Sequence, residues 1–240
     1  MTTHFPAAVL FDMDGTLVDT EPYWMKAETE LVADFGGVWT AEDGLTLVGS
    51  GLGNAAAILQ SRGVTLPIGE IIDRLTARVL AQTLVDVPWR PGALELVHTL
   101  RDAGIPTALV TMSMRPLAEH VANATGRRMF DVLVTGADVA KPKPHPEPYE
   151  RAAALLEVDI AECVAIEDSI PGLASASASG AAVVGVPAHV ALPESESWVL
   201  WPTLAGRTVD DLRALRDSRV GVASGSAVQA GGAEDGEALP

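Results

Sequence analysis

The sequence predicts an α/β protein, a doubly wound parallel sheet of Rossmann-like type with an α-helical domain inserted into it. Three observations carry this. Short apolar runs recur along the chain with helix-like segments between them, as in parallel sheets buried on both faces. The alternation is interrupted between residues 18 and 88 by helix-like segments with no convincing strand among them. With 48% apolar residues over 240, the chain can bury a full core with an insertion.

The first run, PAAVLF (6 to 11), is too short for a helix and ends in an acidic turn, which fits a buried strand. The inserted helices are predicted in WMKAETELVADFGG, GNAAAILQSRG and IGEIIDRLTARVLAQTL. PGALELVHTLRDAG has leucines and a valine at helical spacing and closes on a glycine. Four more strands are predicted at IPTALVT (105 to 111), FDVLVT (130 to 135), CVAIED (163 to 168) and AAVVGV (181 to 186). In SIPGLASASASG, Ser169 caps a helix, Pro171 suits its first turn and Gly180 ends it. The expected division is a core of residues 1–17 plus 89–220, a helical domain of 18–88, and a disordered acidic tail at 221–240.

Thirty-two acidic against sixteen basic side chains give a net charge of −16, which argues against a nucleic-acid or anionic-membrane partner. The single cysteine, Cys163, sits in an apolar run and reads as a buried thiol, in keeping with a cytoplasmic location. MTTHFPAAVLFDMDG lacks the basic first segment of a secretory leader, and no apolar stretch is long enough to span a bilayer.

Ligands of doubly wound sheets bind beyond the carboxyl ends of the strands. The first strand ends in Asp12-Met13-Asp14 and the second in Thr111-Met112-Ser113; the third leads to Lys141 and Lys143, and the fourth ends in Glu167-Asp168. Asp12, Asp168 and a backbone carbonyl suit Mg²⁺, a hard cation that takes oxygen ligands, and Glu167 suits its outer shell. Gly15 lets the backbone approach a phosphate; Thr16 supplies a hydroxyl or steers a neighbouring carboxylate. Carboxylates, hydroxyls and a lysine around such a cation are the groups that phosphoryl transfer to an aspartate requires.

These motifs, DMDGT, LVT with Ser113, KPHPEPY and IEDSIPG, stand in the order of the haloacid dehalogenase superfamily, which the chain resembles over about residues 6 to 190. The subgroup it resembles inserts a helical cap after the first motif, as do β-phosphoglucomutase and phosphoglycolate-phosphatase relatives. The resemblance implies that Asp12 is the nucleophile and Asp14 the general acid/base, its backbone carbonyl on the metal. It implies Thr111 and Ser113 as phosphoryl-binding groups with Gly15 and Thr16, Asp168 as direct metal ligand and Glu167 as its helper. KPKPHP contains Lys-Pro-x-Pro twice, and Lys143 is preferred over Lys141 because KPHPEPY continues as the family motif does.

The expected function is therefore a Mg²⁺-dependent phosphomonoesterase for a small phosphorylated metabolite, acting as a monomer or weak homodimer. A sugar phosphomutase uses the same chemistry, but the hinge histidine and cap-loop arginine of β-phosphoglucomutases align with Trp24 and about Leu52. A catalytically silent regulatory protein is the other alternative, yet it would be expected to have lost one of Asp12, Asp14, Lys143 or Asp168. GSGLGN (49 to 54) reads as a turn of the helical domain facing substrate rather than a nucleotide loop, because no strand precedes it. His98 and His120 read as surface residues.

Overall fold

The computed structural model describes residues 5–228. From Pro6 the chain enters β1 (Val9–Phe11), whose three side chains are fully buried. Burying side chains of this size contributes about 1.5–3 kcal/mol each. Four helices follow before the next strand: α1 (Glu21–Asp34), α2 (Ala41–Leu45), α3 (Leu52–Ser61) and α4 (Ile68–Thr83). Ile71, Leu75 and Val79 recur every fourth residue along α4 and form its buried stripe, and α4 packs against both α1 and α3. The buried face of α1 holds Trp24, Ala27, Leu31 and Val32, and among them an acidic residue, Glu28.

The chain returns through α5 (Ala93–Asp102) to β2 (Thr107–Val110), then α6 (Arg115–Asn123), β3 (Val132–Val134), α7 (Glu147–Leu155) and β4 (Val164–Glu167). The last elements are α8 (Ile170–Ser179), β5 (Ala182–Gly185), β6 (Val199–Leu200) and α9 (Val209–Val228). All five strand pairings among the described residues are parallel, in the order β3-β2-β1-β4-β5-β6. The topology reverses at β1: Phe11 is flanked by Leu109 of β2 and Ile166 of β4, so the ends of β1, β2 and β4 open onto one crevice.

Each predicted strand is present, trimmed by one to three residues at its ends. Ser169 caps α8 by accepting from the Gly172 N–H at 3.2 Å, and Gly180 ends it in the left-handed conformation at φ 94°. The two-residue edge strand β6 and the single-turn α2 carry too little periodicity to be read in advance. The tail expected from residue 221 is helical at its start, because α9 runs on to Val228 with no proline to stop it. Residues 229–240 of that segment lie outside the described residues.

Two histidines expected at the surface are half-buried. His120 Nε2 lies 3.0 Å from the Thr83 carbonyl where α6 packs on α4, and His98 is tucked into α5. Cys163 is buried; desolvation pushes its thiol up to about 12, which makes it inert at neutral pH. No helix among the described residues is long and apolar enough to cross a membrane.

Candidate active site

After β1 the side chains keep alternating: Asp12 and Asp14 face a cavity, while Met13 between them is fully buried in the core. The chain then turns at Gly15, at φ 82°. A Cβ there would fall 1.9 Å from Asp168 Oδ2, so glycine is required both by conformation and by the close approach of that carboxylate.

Lys143 reaches this turn from the loop between β3 and α7. Its Nζ donates to Asp12 Oδ1 at 2.7 Å, to Glu167 Oε1 at 2.6 Å and to the Val110 carbonyl at 2.8 Å. Burial by itself would lower its pKa, but Asp12 and Glu167 outweigh that and hold it above its ordinary value, as a fixed cation. Lys141 is exposed and lies outside the cavity.

Glu167 at the end of β4 is fully buried, with both oxygens engaged. Oε1 accepts from Lys143 and from the Tyr149 hydroxyl at 2.7 Å; Oε2 accepts from the Asp168 and Ser169 N–H groups and the Ser169 hydroxyl. Gly172 lies against it, where a Cβ would come within 2.0 Å of the carboxylate.

Oxygens of Asp12, Glu167 and Asp168 lie within 4.8 Å of one another. Burial first, then the Glu167 charge, raises Asp12 to about 7 against the pull of Lys143. Burial, with the charges of Asp12 and Glu167, raises Asp168 well above the ordinary carboxylate range. Three carboxylates facing one lysine leave a negative excess, and Asp12 Oδ2 is buried with no hydrogen-bond partner among the described residues. The negative excess fits a hard cation taking oxygen ligands. Because Glu167 is saturated by protein donors, Asp12 and Asp168 are the carboxylates with capacity for it.

Asp14 is bound by four donors. Oδ1 accepts from the Thr20 hydroxyl at 2.6 Å and Trp24 Nε1 at 3.2 Å; Oδ2 accepts from Thr111 at 3.2 Å and Ser113 at 2.7 Å. The hydroxyls of Thr111 and Ser113 thus line the cavity but turn towards Asp14. Thr16, expected among phosphate-binding groups, is fully buried, lies outside the cavity wall and faces Asp168 Oδ1 at 3.4 Å. Of the two roles its hydroxyl could take, the geometry favours steering a carboxylate.

Arg90 carries no motif of its own and was not among the expected site residues. Its guanidinium donates to the Gly15 carbonyl, to Val186 O at 3.1 Å and to Pro187 O at 2.8 Å, tying the first turn to the loop after β5. Tyr149, Thr20 and Glu28 were equally hidden, because each acts through a partner set by tertiary packing.

The cavity has a volume of about 140 Å³. The strand ends form its floor; its opposite wall comes from α1 and from the turn Gly49-Ser50-Gly51 that leads into α3. That turn is the glycine-rich segment expected to face substrate.

Comparison with known proteins agrees with this architecture. A family model described as haloacid dehalogenase-like hydrolase matches residues 6–180. The chain is 31% identical over 196 residues to hexitol phosphatase B of Escherichia coli, covering 79% of this chain and 86% of that protein. It is also 31% identical over 184 residues to the bifunctional riboflavin kinase/FMN phosphatase of Arabidopsis thaliana, covering 75% of this chain but only 48% of that longer protein. Crystal structures of CbbY from Rhodobacter sphaeroides, in complex with phosphate and with xylulose-(1,5)bisphosphate, superpose with a TM-score of 0.80 at 29% identity, covering 87% of this chain and 99% of theirs. On the family match, the relatives and the shared fold, the chain belongs to the haloacid dehalogenase-like hydrolases.

Proposed function

We propose that this hydrolase is a Mg²⁺-dependent phosphomonoesterase for a small phosphorylated metabolite, working through a phosphorylated Asp12. The observation that carries this reading is the state of Asp12: Lys143 fixes Oδ1, while Oδ2 is buried without a protein partner at the cavity floor. That oxygen is free to bond phosphorus as the ester P–O bond breaks, and Asp14 delivers a proton to the departing oxygen. Asp14 then takes a proton from water, whose oxygen attacks the same phosphorus; the Asp12–phosphorus bond breaks and phosphate leaves.

Mg²⁺, held by Asp12, Asp168 and the Asp14 backbone carbonyl with Glu167 in support, would supply the positive charge that keeps Asp12 ionised and offsets the phosphoryl oxygens. Gly15, Thr111 and Ser113 border the volume in which the phosphoryl group would sit. Residues 18–88 act as a cap that excludes bulk water, over a core formed by 1–17 and 89–220. The enzyme works in the cytoplasm as a monomer or weak homodimer, without nucleic acid or membrane partners.

The test is phosphate release from a panel of small esters, with and without Mg²⁺. Wild type should turn over with the metal and lose activity on chelation; Asp12→Ala should fall by at least about 10³-fold. Release undiminished by thorough chelation, or retained by Asp12→Ala, would contradict the reading. Asp14→Asn should slow turnover of esters with poor leaving groups most, since those need the proton.

A further inference from the structure

The wall of the cavity opposite the metal-type carboxylates carries negative charge as well. Glu21, Trp24 and Glu28 fall at i, i+3 and i+7 on α1 and all line the cavity. Glu28 is 5% exposed, and among the described residues its one hydrogen bond comes from Trp39 Nε1 to Oε2 at 3.2 Å, with no donor to Oε1. Burial raises both Glu21 and Glu28 to about 7, the second also through the charge of the first.

The charge of His189 offsets that of Glu21 in part, but among the described residues no cation pairs with Glu28. All four basic residues of 18–88 are engaged away from the cavity: Lys26 with Glu30, Arg62 with Asp43, Arg74 with Glu70 and Arg78 with Asp34. On the core side Arg115, two residues past Ser113, is paired with Asp138 at 2.6 Å. Of the positive groups that do line the cavity, Lys143 is committed to Asp12 and Glu167, and the exposed His189 is paired with Asp19 at 2.6 Å. A substrate with a second phosphate or a carboxylate on its leaving group would set that charge against Glu28 with nothing to receive it.

We infer that Glu28, with Glu21 beside it, selects phosphomonoesters whose leaving group donates hydrogen bonds through hydroxyl or ammonium groups and carries no second negative charge. The inference rests on the phosphomonoesterase reading and narrows it to a substrate class. Glu28 acts as a specificity residue: its unpartnered oxygen accepts from the leaving group while Trp39 holds the other in place.

The experiment compares kcat/KM, in saturating Mg²⁺, for sorbitol 6-phosphate and glucosamine 6-phosphate against phosphoglycolate, 3-phosphoglycerate and fructose 1,6-bisphosphate, with phenyl phosphate as reference. The uncharged and amine-bearing esters should lead the anionic ones by at least about tenfold, the scale of one hydrogen bond to a charged group. Glu28→Gln, which keeps shape and the Trp39 contact but loses the charge, should shrink that ratio several-fold, chiefly through KM. Glu21→Gln gives a second, independent reading of the same ratio. Equal or better turnover of the anionic esters by wild type, or an unchanged ratio in both variants, overturns the inference while leaving the phosphatase reading intact. Absence of release from every ester, phenyl phosphate included, overturns both.

Discussion

Replacing Lys143 by methionine removes the cation between Asp12 and Glu167 while keeping the bulk of the side chain. The lysine side chain is 6% exposed, that of Asp12 10% and that of Glu167 0%, so water cannot take over its three hydrogen bonds. Orphaning a buried charge costs about 3–5 kcal/mol. For a chain of this length each kcal/mol moves Tm by about 2–4 °C, so a fall of about 6–20 °C is expected. Calorimetry and urea titration in EDTA at pH 8 measure this directly. The loss should shrink at pH 5.5, where Asp12, raised to about 7, can protonate in place of the missing partner. Glu167→Gln in the Lys143→Met background should recover part of the stability, with a coupling of about 1–3 kcal/mol in the double-mutant cycle. A variant that melts with wild type at both pH values, or a cycle with no coupling, would refute the claim that Lys143 is held as the counter-charge of these carboxylates.

Other perturbations test neighbouring parts of the argument. Asp12, Glu21 and Glu28 all have folded-state values of about 7, above those of the unfolded chain, so the metal-free fold binds more protons than the unfolded state. Its stability should therefore fall as pH rises from about 4 to about 7; a urea midpoint higher at pH 8 than at pH 5.5 in EDTA would contradict this. Adding Mg²⁺ should raise the midpoint at pH 8, where the carboxylates are ionised, more than at pH 5.5. Gly172→Ala places a methyl 2.0 Å from the pinned Glu167 carboxylate and should cost about 1–3 kcal/mol, whereas Gly53→Ala, with nothing within 4 Å in α3, should cost nothing or stabilise by a few tenths. Arg90→Leu frees the Gly15 carbonyl from its guanidinium and should lower kcat more than it raises KM; steady-state kinetics with wild-type values of both would refute it.

The elements that could be read in advance are those whose signal is local. Residues 9–11, 108–110 and 164–166 are buried on both faces, so their sequences are uninterrupted apolar runs, and the acids that follow the first and the third are conspicuous by contrast. Lys141 and Lys143 both precede a proline, and separating them needed the family pattern; in three dimensions the distinction is that one reaches Asp12 and the other does not. What was illegible depends on distant partners. Tyr149 looks like any helix aromatic until its hydroxyl meets Glu167, eighteen residues on, and Glu28 looks like a surface acid until Trp39 folds over it. Helical periodicity misleads at Glu28 because a polar residue there occupies the apolar stripe.

The helical segment leaves and re-enters the core at a single narrow neck. Asp19 N–H donates to the Pro88 carbonyl at 2.8 Å, Val18 bridges Trp89 in antiparallel fashion, and Arg90 N–H donates to Leu17 O at 2.8 Å. The two ends of the insertion are thus zipped together before either helix begins, much as a hairpin stem fixes the ends of its loop. An engineer could cut at this stem and splice in a foreign segment of another length: the sheet would meet the same paired ends, and the replacement would need only to supply a new surface for α6 where α4 now packs.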